Sequence, residues 1–293
     1  MPAGDRRARL AAILDHRPIR TLRSVLQRYD DAGGSLLAGG LAFSAMFAIV
    51  PMLFLAVGIA GLVVGDPAER DKVAAQIASV LPPLRGVVGL VLAEAARSAG
   101  AISLVGAGAL AWGGSRFMLA FEEATTRVVG GPRSRNALAR NVVSLVAAIV
   151  LVAAVVLGAL IAGVADFLDL AAAAGSAPGV VSLVSRLVLT VLPAAVATLA
   201  LLLVYRFVPE SRPTWPAARR PAWVMAVVLT VFARAFVYVA PRLIGAAATV
   251  GALATLFAAL AWLGLSFQAI LLGAAWVRER EVRRVAEAGQ KAT

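Results

Sequence analysis

Residues 244–277 read IGAAATVGALATLFAALAWLGLSFQAILLGAAWV, thirty-four positions without a charged side chain. A helix that crosses the hydrocarbon core of a bilayer needs roughly 20 apolar residues, so this stretch can cross even when tilted. Working outward from it, five earlier stretches are long and predominantly apolar: 35–64 with Pro51 inside, 100–121, 142–164, 180–208 with Pro193 inside, and 222–240. Backbone groups in lipid must bond internally, which makes such stretches helices rather than lone strands. The predicted fold class is therefore all-α: a polytopic membrane protein with six transmembrane helices and short amphipathic interfacial helices.

Composition agrees. The 293 residues are 61% hydrophobic and 15% charged, against about 25% charged in an average soluble domain, and the mean hydropathy is +0.87. Lys plus Arg number 28 against 16 Asp plus Glu, a formal charge of +12. With no Cys and a single His, His16, disulfides, thiolate metal sites, Cys nucleophiles and paired-histidine catalysis are excluded. No metal or cofactor is expected. The Gly106, Gly108 and Ala111 spacing matches a loose dinucleotide pattern, but it lies inside a predicted span, where small residues allow close helix packing.

The arginines set the orientation. The N-terminal segment carries Arg6, Arg7, Arg9, Arg17, Arg20, Arg23 and Arg28. The loop after the second span has Arg127, Arg133, Arg135 and Arg140, and the loop after the fourth has Arg206, Arg212, Arg219 and Arg220. The tail adds Arg278, Arg280, Arg283, Arg284 and Lys291. Twenty basic residues thus fall on one side, against five on the other: Arg70, Lys72, Arg85, Arg97 and Arg242. The positive-inside bias predicts that both termini are cytoplasmic. Topology and anionic lipid at the cytoplasmic face account for the charge. Without interleaved aromatic stacking residues, nucleic acid is not an expected partner.

The predicted organisation has three parts. Residues 1–34 form a cytoplasmic basic segment with an interfacial helix, in which Leu22, Val25, Leu26 and Tyr29 share one face. Residues 35–277 form the six-helix transmembrane domain, including an outer amphipathic segment at 65–99 that either caps the bundle or gates an outward cavity. Residues 278–293 form a cytoplasmic tail continuing the last helix. No second soluble domain, cleavable leader or clear internal repeat is expected.

Four motifs in order carry a resemblance to a known family. They are GGLAFSAMFAIVPML (39–53), WGGSRFMLAFEEATTRV (112–128), YRFVPE (205–210) followed by Trp215, and GALATLFAALAWLGLSFQAILLGAA (251–275). Together they resemble the YihY/virulence factor BrkB family of bacterial inner-membrane proteins over about residues 20–280. Two departures stand out: Phe43 where the family usually has Tyr, and Ala275 where Glu commonly follows Leu-Leu-Gly-Ala. A function needing that carboxylate would be absent or supplied by another residue. Family members have carried the name ribonuclease BN, but hydrolysis needs clustered carboxylates or a His base. Here the acidic pair Glu122-Glu123 is adjacent and His16 is solitary, so no enzyme activity is expected.

An ionisable group within a span costs about 2.5–3.5 kcal/mol on insertion scales, which makes it a functional candidate. Arg234 and Arg186 fall in the outer halves of spans five and four, where a shared cavity would let them hold a carboxylate or phosphate bidentately. Otherwise each snorkels to the outer interface, or Arg186 pairs with Asp166 or Asp169. Arg116, near the inner end of span two, either snorkels or pairs with Glu122 or Glu123. Gln268, Ser266 and Ser44 are weaker candidates that can bond between helices. Two functions remain: a transporter or lipid-handling protein for an anionic small molecule or lipid head group, and a non-transporting scaffold for envelope partners.

Overall fold

The computed structural model describes residues 17–63, 101–130, 179–246 and 252–292. The expected third span (142–164) with Asp166 and Asp169, and the outer segment 65–99, lie outside the described residues. Among the described residues the fold is all helical: α1 (Arg17–Asp31), α2 (Gly34–Val63), α3 (Ala101–Val129), α4 (Gly179–Phe207), α5 (Trp215–Ala246) and α6 (Ala252–Ala292). By length and composition, the segment Leu256–Gln290 of α6 can cross a membrane. The pair α1–α2, bent by 62°, adds a second crossing if it is read as one span.

α6 is the central post. It packs against α5, α2, α1 and α3 and lightly against α4, while α2–α3 and α4–α5 form two helix pairs around it. The bend between α1 and α2 falls at Gly33, whose φ of +71° favours glycine. The Gly33 amide closes the turn on the Asp30 carbonyl at 2.9 Å. α1 then lies across the bundle's end with Val25 and Tyr29 buried and Leu22 and Leu26 exposed. Its expected apolar face is thus shared between the bundle and the outside.

Small residues bring the helix axes together. Ala38, Leu41, Ala42 and Ala45 of α2 and Leu271, Ala274 and Ala275 of α6 are buried. A Cβ at Gly113 of α3 would sit 2.9 Å from the Phe47 carbonyl oxygen of α2, the close backbone approach that small residues permit. Between α3 and α6 an aromatic cluster fills the wider gap: Phe117, Phe121 and Phe267 have ring centroids 5.8–6.2 Å apart.

The outward walls are apolar as well. Leu36, Phe43 and Phe47 follow one stripe of α2, Trp223, Val227, Val231 and Tyr238 one stripe of α5, and Phe257 and Leu265 one stripe of α6, all exposed. Only 33% of the apolar window of α6 is buried. A helix apolar all round but only partly covered by protein suits a non-aqueous surrounding.

Candidate functional site: a basic layer at one end of the bundle

The motif at 205–210 begins at the C-terminal end of α4. Tyr205 is fully buried, and its hydroxyl donates to the Ile270 carbonyl of α6 at 2.8 Å. Gly273 makes room: a Cβ there would collide with the Tyr205 hydroxyl and come within 2.8 Å of the ring and of Met225. The third and fourth motifs of the sequence are therefore one packed contact. A buried phenol needs such a partner, because an unsatisfied hydroxyl costs about 1–3 kcal/mol.

Beyond Tyr205 the chain turns into α5. The Arg206 guanidinium stacks on Phe207 and Trp215, 5.6 and 5.7 Å from their ring centroids, and donates to the Arg212 carbonyl at 3.1 Å. That bond holds Arg212 at φ 44°, a left-handed backbone few non-glycine residues adopt. Thr214 immediately precedes α5: the Ala217 and Ala218 amides donate to the Thr214 carbonyl, and Pro216 lacks the amide that the first turn would leave unpaired. Thr214 in turn donates through both its amide (3.1 Å) and its hydroxyl (2.8 Å) to Glu281 of α6. A carboxylate at a helix N-terminus is favoured by the helix dipole.

These contacts gather the basic segments. Arg280 of α6 donates to the Pro216 carbonyl at 3.2 Å. Burial, with the nearby charges of Arg220 and Arg284, pulls the Arg280 guanidinium below the usual arginine range. On the other flank Glu279 accepts from Arg283 at 2.9 Å and lies 3.7 Å from Arg28 of α1. Arg28 and Arg127 line one open cleft of about 470 Å³ with Ser24, Gln27, Asp31, Ala32, Val128 and Gly130. Four segments separate in sequence thus share one end of the bundle: α1, the end of α3, the α4–α5 turn and the tail of α6.

The residues singled out from sequence are dispersed. Arg234 is exposed on α5, in line with Val227, Val231 and Tyr238, and among the described residues no carboxylate or hydrogen bond engages it. Arg116 is exposed and sits over the exposed Trp112 ring, 6.0 Å from its centroid, rather than reaching the buried Glu122. Gln268 is half-buried on α6, and Arg186 belongs to α4 with its side chain outside the described residues. Among the described residues no hydrogen bond or ion pair joins any two of Arg234, Arg116 and Gln268. Ala275, at the position of the usual glutamate, is fully buried. No group of three or more His, Cys, Asp or Glu stands together to hold a metal among the described residues.

Residues 25–293 match the family model described as Virulence factor BrkB, and the chain belongs to that family. No curated protein matches it, and no solved structure does.

Proposed function

We propose that this chain is a six-span inner-membrane protein of the bacterial envelope, with both termini cytoplasmic, that handles an anionic lipid head group or small organic anion without hydrolysing it. The observation that carries this reading is the basic layer: the segments that the sequence assigns to one side of a membrane meet at one end of the bundle, next to exposed apolar walls. An arginine layer of this kind suits the anionic surface of a cytoplasmic leaflet. Arg234 adds a second support. A guanidinium near the middle of a 32-residue helix, on an exposed apolar stripe, calls for an anion from lipid, ligand or another subunit.

The scaffold reading has its own support in the close alanine packing around α6, with Ala38, Ala222, Ala274 and Ala275 fully buried, which leaves those contacts without a polar path. Reconstitution into liposomes separates the two. The proposal expects protein-dependent flux of an anion from a panel, or movement of a labelled anionic lipid, lost in Arg234→Gln and not restored by Arg234→Lys. Absence of flux, of lipid movement and of preferential anionic-lipid binding leaves the scaffold.

A further inference from the structure

The cleft between α1 and α3 is not simply basic. Its lining carries two guanidinium groups, Arg28 and Arg127, and one carboxylate, Asp31. Part of Arg28 is committed to Glu279, 3.7 Å away, but its Nε is buried with no hydrogen-bond partner among the described residues. Two helices also end in the cleft. α1 finishes at Asp31, and α3 finishes at Val129, where the Gly130 amide, at φ +69°, closes on the Thr126 carbonyl at 2.8 Å. Helix C-termini carry partial negative charge. Arg28 and Arg127 stand in the last turns of these same two helices, so a simple anion drawn to the arginines would also meet the repulsion of Asp31 and of the two helix ends.

A ligand with both charges meets no such conflict. We infer that the α1–α3 cleft binds a zwitterionic amino-phosphate group, its phosphate held by Arg28 and Arg127 and its ammonium by Asp31 and the helix C-termini. The volume, about 470 Å³, lies within the range of small-molecule sites and admits an aminoethyl phosphate. Ser24 and Gln27 add hydroxyl and amide groups to the lining. The placement fits a membrane surface, because α1 leaves Leu22 and Leu26 exposed on its apolar side. The same chemistry comes either as the head group of an ethanolamine phospholipid or as a free phosphoethanolamine. The inference rests on the proposed lipid- or anion-handling role and gives that role a defined site.

The test uses the full chain in nanodiscs of phosphatidylethanolamine, phosphatidylcholine or phosphatidylglycerol, with retained lipid counted by native mass spectrometry. The wild type is expected to retain phosphatidylethanolamine about tenfold over phosphatidylcholine, whose methylated ammonium donates no hydrogen bonds to Asp31. Asp31→Asn should bring phosphatidylethanolamine retention down to that of phosphatidylglycerol, and Arg127→Gln should lower both. Ser24→Trp, which fills the cleft without changing charge, should expel both while thermal unfolding stays near wild type. Soluble phosphoethanolamine in detergent separates the sources: competition at micromolar concentration assigns the free compound, and competition only at millimolar concentration assigns the lipid. An unchanged lipid ratio in Asp31→Asn and Ser24→Trp overturns the inference. If anionic lipid is still retained and still lost in Arg220→Gln/Arg284→Gln, the wider functional reading stands without this site; if no lipid is retained by any form, both fall.

Discussion

Replacing Gly273 with Ala puts one methyl group where the structure has least room for it. The added Cβ collides with the Tyr205 hydroxyl and comes within 2.8 Å of both Tyr205 Cζ and Met225 Cγ. Met225 is flexible and half-buried and can move aside. Tyr205 is fully buried and bonded to the Ile270 carbonyl at 2.8 Å, so its ring must shift and its hydroxyl must leave that carbonyl. Overpacking of a filled site costs about 1–3 kcal/mol, and a stranded buried hydroxyl about 1–3 kcal/mol more. Replacing a helical glycine returns about 1 kcal/mol. The expected net loss is about 3 kcal/mol. Tyr205→Phe alone should cost about 1 kcal/mol, and because it removes the nearest atom, Gly273→Ala should cost at least about 1 kcal/mol less in that background. Equilibrium unfolding of the four proteins in one detergent measures the cycle. A Gly273→Ala protein as stable as wild type, or a cost unchanged by Tyr205→Phe, would refute the account of how α4 locks onto α6.

Other substitutions and pH probe the same end of the bundle. Thr214→Ala removes the hydroxyl bond to Glu281 and Glu281→Ala removes both bonds at the start of α5; each should destabilise by about 1 kcal/mol, non-additively when combined, and additive losses would mean the two do not act together. Burial first, and the Asp30 charge after it, raise the Tyr29 hydroxyl above its ordinary value of 10.0. A group whose folded pKa is raised stabilises fully below its unfolded pKa, so stability should fall as pH rises above 10 through the folded value, and Tyr29→Phe should flatten that fall in pH-dependent unfolding. Gly34→Ala, whose Cβ would run into the Tyr29 ring, should disturb the α1–α2 corner, lower stability by about 1–3 kcal/mol and speed proteolysis at α1.

Much of the helix framework was legible because long apolar stretches leave little ambiguity. The expected segments 35–64 and 180–208 coincide with α2 and α4 to within a residue. The ends followed different physics. The fifth stretch was placed at 222, whereas α5 begins at Trp215, because Arg219 and Arg220 break the apolar run; Thr214 with Pro216 just after it is the helix-start signal that locates it. α3 continues to Val129 past the expected 121, since Glu122, Thr125 and Thr126 are polar yet buried, and hydropathy does not distinguish a buried polar face from a water-facing one. The candidate site was legible only as charge. Clustered arginines predicted a basic side, but nothing local in the sequence ties Tyr205 to Ile270, or Thr214 to Glu281, across more than sixty residues. The arginines inside the expected spans were singled out by rarity, and rarity says nothing of which face a helix presents; Arg234 is exposed.

The central claim is that the basic layer lies on the cytoplasmic face of a membrane-embedded bundle. The chain contains no cysteine, so single cysteines can be introduced without a background. Ala74→Cys, in the expected outer segment, and Glu287→Cys, on the exposed tail of α6, should be compared in intact spheroplasts using a membrane-impermeant maleimide. The account predicts rapid labelling at 74 and labelling at 287 only after the membrane is permeabilised. Labelling of both from the same side, or of 287 alone in intact spheroplasts, would contradict it.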